Sequence, residues 1–262
     1  MNYGLALAGG GARGAAHAGV LLALKEANLL PEAIGGTSAG SITAGLFACG
    51  MEPEELCDLV HYLSNHGSEY LDLNLLALLG LIPQLFLGQR PRICGLLKGH
   101  RLLTLFRKLT NHRRLEELKR PLLVPSVDLR TGTTLCFTNL PHVLSSGGNS
   151  FCLVDGGVTN NLPVDLMRDA GIRTVAAVDI GSPYRMPERE SIFEILSHSF
   201  SIMSGNLKDC RSMGETVLLK PQLPADAGLF SFDRMEACME AAYRDTKENL
   251  SLFYSLSNES RI

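Results

Sequence analysis

Residues 3–14 read YGLALAGGGARG, an apolar run that ends in a cluster of glycines. The apolar part, Tyr3 to Ala8, is typical of a short buried strand. Apolar residues at helical spacing follow from Ala15 to Leu29, so the glycines connect a strand to a helix. The chain is therefore predicted to begin with the strand–turn–helix unit of an α/β fold.

Strands and helices continue to alternate along the chain. The β-branched stretch from Thr174 to Ile180 predicts a central strand. We expect a mainly parallel central sheet with helices on both faces, a three-layer α/β/α arrangement. Other apolar stretches predict strands at 33–36, 122–129, 133–137, 151–154 and 216–219, and helices at 39–49, from Pro53 onward, and at 162–170, 191–211 and 235–256.

The 262 residues are 45% hydrophobic, and no linker rich in proline, glycine or serine divides them. Length and composition predict a single domain, residues 1–262, with a helical cap-like insertion around 71–120 where the alternation lapses. The apolar stretch 71–87 is too interrupted by polar residues and proline to predict a membrane span. The net charge of −3 gives no reason to expect nucleic acid as a partner, and the oligomeric state is left open.

Seven cysteines are present, none spaced as C-x-x-C, and no two histidines follow H-x-x-x-H. This pattern argues against a disulfide scaffold and against a zinc site, so we expect no metal. It also favours a reducing compartment, and the first residues do not have the pattern of a secretory leader. We therefore expect a cytoplasmic protein.

The glycine-rich turn, Gly9 to Gly14, matches G-x-G-x-x-G and lies between a strand and a helix. Glycines allow backbone N–H groups to approach an anion, and the helix that follows adds a partial positive charge. Such a turn can hold a phosphate or a developing oxyanion, or it can simply be a tight turn. Dinucleotide binding would need an acidic residue after the second strand, where this chain has Gly35 to Ser38. We therefore expect no nicotinamide cofactor.

The stretch from Gly36 to Gly40 matches G-x-S-x-G at a predicted strand-to-helix junction, with Ser38 at its centre. In this context the serine hydroxyl is presented at a helix N-terminus, where an alkoxide is favoured. The alternative is a serine that only caps the helix beginning at Ala39. Its position one strand–helix unit after the glycine-rich turn favours Ser38 as a nucleophile.

A serine nucleophile needs a base to accept its proton. The best candidate is Asp155, which follows a predicted strand and is itself followed by Gly156 and Gly157. The alternative for Asp155 is an ordinary Asp-Gly turn. His198 would give the order Ser–Asp–His, but its surroundings predict a helix, and His17 is expected to be a packing residue.

These three motifs together resemble the patatin-like phospholipase family, whose pattern is G-G-G-x-[RK]-G, then G-x-S-x-G, then D-G-[GA]. Residues 154–164, VDGGVTNNLPV, are similar to the extended third block of that family. The resemblance covers most of the chain and is closest to short bacterial single-domain members. It implies a Ser38–Asp155 dyad without histidine and without a metal or cofactor.

The resemblance also implies roles for the residues around the dyad. Backbone N–H groups of Gly10, Gly11 and Ala12 would form an oxyanion hole, within a turn that includes Gly9, Arg13 and Gly14. Gly36 and Gly40 would flank the nucleophile, and Gly156 and Gly157 would follow the base. The implied activity is hydrolysis of lipid acyl esters, as in a phospholipase A or a lysophospholipase-like esterase.

Two other functions remain open from the sequence: a conventional Ser–His–Asp esterase, and a catalytically weak lipid-binding or regulatory protein with the same fold. Residues 139–150 are also shorter than the family pattern, which has a small-residue helix and a P-G-x-F-P-P-like segment there. If one wall of the site is missing, we expect low turnover and a preference for short acyl esters.

A basic region follows the apolar stretch of the predicted cap. In 101–109 apolar residues share one face of a helix, and only Glu116 and Glu117 offset the nearby positive charge. This pattern favours peripheral contact with an anionic membrane, at the inner surface for a cytoplasmic protein. The alternative is a packed helical subdomain with a solvated basic face. The cations are Arg90, Arg92, Lys98, Arg101, Arg107, Lys108, Arg113, Arg114, Lys119 and Arg120.

Overall fold

The computed structural model describes residues 3–70, 99–140, 151–181, 192–211 and 214–259. Most of the apolar part of the predicted cap, residues 71–98, lies outside these ranges, and so does the core of the shortened segment, residues 141–150. What the sequence predicts for those two stretches stays a prediction.

A seven-stranded sheet runs through the described residues, with strand order β4-β3-β2-β1-β6-β7 and β5 paired to β3. β3, β2, β1, β6 and β7 are mutually parallel, and β4 and β5 run antiparallel to β3. The predicted mainly parallel sheet is therefore confirmed, with antiparallel pairing confined to β3. The strands are β1 (Gly4–Leu7), β2 (Ala33–Gly36), β3 (Leu122–Asp128), β4 (Thr134–Thr138), β5 (Leu153–Asp155), β6 (Val175–Val178) and β7 (Val217–Leu219).

Helices cover both faces of this sheet, which gives the expected three-layer arrangement. They are α1 (Ala16–Glu26), α2 (Ala39–Ala48), α3 (Pro53–His66), α4 (His100–Leu109), α5 (Val164–Asp169), α6 (Ile192–Arg211), α7 (Met235–Glu248) and α8 (Leu250–Glu259). α3 begins at a proline, which suits a first-turn position because its missing N–H would have no helical partner there.

The centre of the core is built from short, fully buried strands of small and branched residues. β1 and β6 are buried along their whole length, and α1 packs against α3 and α7. Small residues in the strands let α5 come close: a Cβ placed on Gly35 would lie 3.3 Å from Met167 Sδ. This close packing fixes the ends of β1, β2 and β6, from which the loops of the site emerge.

The structure differs from the sequence expectation in two helical segments. Residues Gly11–Ala15 form a 3-10 helix, so the regular part of α1 starts only at Ala16. The helix predicted over 235–256 is divided into α7 and α8 at Asn249, whose N–H bonds to the carbonyls of Asp245 and Thr246. Among the described residues, no helix is both long and apolar enough to cross a membrane.

Candidate active site

Ser38 occupies a strained turn between β2 and α2. Its backbone has φ 51° and ψ −121°, a conformation that residues with a side chain rarely adopt. The N-cap interpretation is not supported, since the side chain makes no capping hydrogen bond. The Ser41 hydroxyl instead donates to the Ser38 carbonyl at 2.6 Å, which helps to hold the turn. Backbone strain of this kind is concentrated at functional sites, where it presents a side chain in one direction.

The two glycines that flank this turn are required by close main-chain packing. A Cβ on Gly36 would collide with the main chain of Gly40, and a Cβ on Gly40 would collide with the carbonyl oxygen of Leu7. β1, β2 and the start of α2 thus meet backbone to backbone. The position of Ser38 follows from that contact.

This packing predicts a contrast between two glycines of the same helix. Gly40→Ala should destabilise the fold by about 1–3 kcal/mol or more, as expected for overpacking against rigid backbone. Gly45→Ala is the matched control, because a Cβ there would meet no atom within 4 Å. It should stabilise the protein by about 0.5–1 kcal/mol, the usual preference for alanine within a helix. Urea unfolding of both variants measures the difference, and equal effects would contradict the close approach.

The glycine-rich turn lies beside Ser38. A Cβ placed on Gly9 would be 3.1 Å from Ser38 Cβ, and Gly9 N–H donates to the Asn161 carbonyl at 3.1 Å. Gly11 has φ 59°, which favours glycine there. The turn therefore brings its N–H groups to the carboxyl end of β1, next to the candidate nucleophile.

The three amides expected in the oxyanion hole do not have equal surroundings. Ala12 N–H donates to the Leu229 carbonyl at 2.9 Å, so this amide is occupied. No acceptor among the described residues faces the amides of Gly10 and Gly11. In this conformation the amides of Gly10 and Gly11 are the candidates for binding an oxyanion, and Ala12 attaches the turn to the segment around Leu229.

Arg13 belongs to the glycine-rich turn and is partly buried. Burial lowers the pKa of Arg13, and the negative charge of Asp179 is among the effects that oppose this. The Arg13 Nε is buried without a hydrogen-bond partner among the described residues. Gly14 packs against Ala39 at the start of α2, so the turn contacts the helix that follows Ser38.

Asp155 ends β5 and reaches the site from the opposite direction to the parallel strands. β5 pairs antiparallel with the last residues of β3, with Asp155 opposite Ser126, beyond the point where β2 pairs with β3. The Asp155 carboxylate accepts a hydrogen bond from Gly157 N–H at 2.7 Å. A Cβ on Gly156 would collide with the Pro125 carbonyl, so this glycine is needed for the turn to lie on β3.

Polar residues connect the D-G-G turn to the other two motifs. The Thr37 hydroxyl donates to the Asn160 carbonyl at 2.8 Å, and Asn161 Nδ2 lies 3.4 Å from the Gly9 carbonyl. A Cβ on Gly157 would be 3.2 Å from Asn161 Oδ1. Ser38, the glycine-rich turn and the Asp155 turn are therefore brought together at one edge of the sheet. No role was predicted from the sequence for Asn160 and Asn161, although both lie in the T-N-N part of the third motif.

The two histidines considered from the sequence lie in helices. His17 is fully buried, its Nε2 is 2.8 Å from the Ala8 carbonyl, and burial lowers its pKa to about 4. The ring is therefore neutral at physiological pH and packs under the turn, as predicted. His198 lies within α6, also as predicted, and not in a loop at the end of a strand.

Comparison with known proteins places the motifs in a family. A family model for patatin-like phospholipases matches residues 5–144, more than half of the chain. The chain belongs to the patatin-like phospholipase family. The part matched by the patatin-like phospholipase model contains the glycine-rich turn and Ser38 and ends before Asp155. The resemblance inferred from three motifs is thus confirmed at the level of the family.

Several relatives carry the patatin-like phospholipase name. Patatin-like phospholipase domain-containing protein ZK370.4 of Caenorhabditis elegans is 32% identical over 195 residues, which is 68% of this chain and 14% of that protein. Lysophospholipase NTE1 of Cryptococcus neoformans is 29% identical over 197 residues, 70% of this chain and 11% of that protein. Patatin-like phospholipase domain-containing protein 6 of Homo sapiens is 28% identical over 193 residues, 68% and 13% of the two chains. The chain thus spans less than a fifth of the length of these relatives.

Solved structures with the patatin-like phospholipase architecture agree in fold. VipD from Legionella pneumophila superposes with a TM-score of 0.50 and 14% sequence identity, covering 97% of this chain and 67% of VipD. At this identity the likeness concerns the fold alone.

Proposed function

We propose that the protein is a serine acyl hydrolase that cleaves acyl esters of lipids, in the manner of a phospholipase A or a lysophospholipase. Ser38 is the nucleophile and Asp155 is the base. Membership of the patatin-like phospholipase family supports lipid hydrolysis. The observation that carries the proposal is the strained backbone of Ser38, at a turn that also adjoins the glycine-rich turn.

The first half of the reaction forms an acyl-enzyme. Ser38 Oγ attacks the ester carbonyl carbon, and Asp155 accepts the hydroxyl proton and passes it to the leaving alcohol. Negative charge develops on the carbonyl oxygen, where the amides of Gly10 and Gly11 can donate to it. In the second half, Asp155 takes a proton from water as the water oxygen attacks the acyl carbonyl carbon. The bond from that carbon to Ser38 Oγ breaks, and Asp155 returns the proton to Ser38 Oγ as the fatty acid is released.

The surroundings of the two groups suit these roles. Ser38 stands at the N-terminus of α2, where the aligned peptide dipoles favour developing negative charge on an oxygen. The hydrogen bond from Gly157 N–H holds the Asp155 carboxylate in one orientation. The chemistry needs neither a metal nor a cofactor, because both proton transfers pass through the same carboxylate.

A fluorophosphonate probe tests the nucleophile directly, since it reacts with activated serines. We expect stoichiometric labelling of the wild-type protein, mapped to the peptide that contains Ser38. Absence of labelling, with a known serine hydrolase labelled in parallel, would favour the lipid-binding or regulatory alternative. Labelling that survives Asp155→Asn but is lost in His198→Ala would favour the Ser–His–Asp alternative.

We also propose that α4 makes the peripheral contact with anionic membranes. Leu103 is 47% exposed on this helix, and Arg107 and Lys108 are exposed beside it. Other cations of the basic region have a different role: Arg113 and Arg120 donate to the carbonyls of Cys49 and Phe47 at the end of α2. Membrane contact is therefore assigned to α4 rather than to the whole region.

Liposome co-sedimentation tests the role of α4. The double change Arg107→Glu with Lys108→Glu should weaken binding to anionic vesicles by about tenfold or more, because each cation near such a surface contributes about 1 kcal/mol. The control is the same reversal at two exposed arginines elsewhere, Arg130→Glu with Arg173→Glu. Equal losses in both double variants, or no dependence on anionic lipid, would contradict the assignment.

A further inference from the structure

Two polar side chains of α6, one helical turn apart, reach into the site. Ser204 is 7% exposed, and its hydroxyl donates to the Gly157 carbonyl at 3.0 Å. Lys208 Nζ lies 2.6 Å from Asp179 Oδ2, and the two side chains are only 11% and 6% exposed. Residues four apart on a helix share a face, so both contacts come from one side of α6.

Ser204 acts on the residue that orients the candidate base. Gly157 accepts from Ser204 through its carbonyl and donates to Asp155 Oδ1 through its amide at 2.7 Å. The carbonyl belongs to the peptide unit after Gly157 and the amide to the unit before it, and Gly157 lies within a short 3-10 helix, Gly156–Val158. Ser204 is thus connected to the Asp155 carboxylate through the Gly157 backbone.

Lys208 acts on the other side of the site. The Asp179 carboxylate also accepts from Gly181 N–H at 2.9 Å, which closes a turn around Ile180. Ile180 packs against the glycine-rich turn, since a Cβ on Gly10 would lie 2.7 Å from Ile180 Cδ1. Burial raises the pKa of Asp179, but Lys208, Gly181 and Lys220 together outweigh it and leave the pKa below its usual value. The Asp179 carboxylate is therefore ionised at neutral pH.

Several apolar side chains of α6 among the described residues face solvent. Phe200, Met203 and Leu207 are exposed, and Met203 is 62% exposed. Ser204 is the one buried residue among the side chains of α6 that the structure describes. Ser204 and Lys208 are two polar anchors of α6, one on the Gly157 carbonyl and one on the Asp179 carboxylate.

We propose that Ser204 and Lys208 are positioning residues of the acyl-transfer reaction. Through these two residues, α6 holds the D-G-G turn and the glycine-rich turn in place relative to each other. Neither residue touches the ester. Ser204 keeps the Asp155 carboxylate oriented toward Ser38. Lys208 holds the turn that contains Ile180, which packs against the amides proposed to bind the oxyanion. The inference rests on the proposed function of Ser38 and Asp155.

The test uses Ser204→Ala, Lys208→Met and the double variant, with Ser199→Ala, an exposed serine of the same helix, as control. Titration with fluorophosphonate counts reactive Ser38, so kcat is expressed per reactive site and misfolded protein does not affect it. We expect each single change to lower kcat roughly 10- to 100-fold, with KM for a short aryl ester within about twofold, since small displacements of catalytic groups cost rates of this order. Lys208→Arg should recover most of the loss, and Ser199→Ala should match the wild type.

The double variant distinguishes one shared effect, exerted through α6, from two independent local effects. If both anchors fix one helix, removing the second should add little to the loss caused by the first. Unchanged kcat per reactive site in Ser204→Ala and Lys208→Met would overturn the positioning role, and so would losses that simply multiply in the double variant. A wild-type protein that fails to label at Ser38 would instead refute the proposed function.

Discussion

Replacing Ser38 with alanine is expected to abolish ester hydrolysis while leaving the protein folded. The hydroxyl makes no capping hydrogen bond to α2, so its removal costs little stability. Loss of a serine nucleophile commonly lowers kcat by about three to six orders of magnitude. Aryl-ester hydrolysis by purified protein and fluorophosphonate labelling measure the effect, with Ser255→Ala, an exposed serine in α8, as control.

Ser38→Gly adds a second, independent readout to this experiment. It should be as inactive as Ser38→Ala but more stable by about 1–3 kcal/mol, because glycine relieves the strain of a positive φ. Thermal unfolding compares the two variants. Hydrolysis that persists in both would assign the activity to another residue, and equal stability would mean that the Ser38 backbone is not strained.

Changing Asp155 to asparagine is expected to produce the second large loss, about three orders of magnitude in kcat or more. Asparagine keeps the shape of the side chain, and its carbonyl oxygen can still accept from Gly157 N–H, so the turn should remain intact. Only the capacity to take up a proton is removed.

The controls for Asp155 are an acidic residue and a histidine. Asp169→Asn removes an exposed carboxylate at the end of α5 and should leave turnover unchanged. His198→Ala should also leave turnover unchanged if the base is a carboxylate acting alone. Near-wild-type turnover of Asp155→Asn would show that the dyad is wrongly assigned, and a large loss in His198→Ala would favour a triad.

Local sequence patterns were sufficient to predict the elements that carry the candidate nucleophile. β1, β2 and α2 lie where apolar runs, glycines and helical spacing placed them, because each is determined by a few consecutive residues. The junction at Ser38 could be predicted for the same reason. The expectation that a strand ends at Asp155 was also correct, since an apolar run before an Asp-Gly pair is a local feature.

Features that depend on tertiary contacts could not be predicted in this way. Nothing near Leu153 indicates that β5 pairs antiparallel with β3, and nothing near Leu229 indicates that its carbonyl binds Ala12 N–H. Ser204 and Lys208 look like ordinary polar residues of a helix, and their partners are distant in sequence. The preference for short acyl chains that is expected from residues 139–150 stays a prediction. Aryl esters of increasing acyl chain length test it.

The glycine contacts around Ser38 have a consequence for engineering. Because Gly36, Gly40 and Leu7 meet through main-chain atoms, no side-chain rotamer decides where Ser38 stands. If Ser38 is the nucleophile as proposed, a library that varies apolar side chains near it should change the volume and shape of the site without moving the Ser38 backbone. Substrate range and nucleophile geometry are, in this fold, separable design variables.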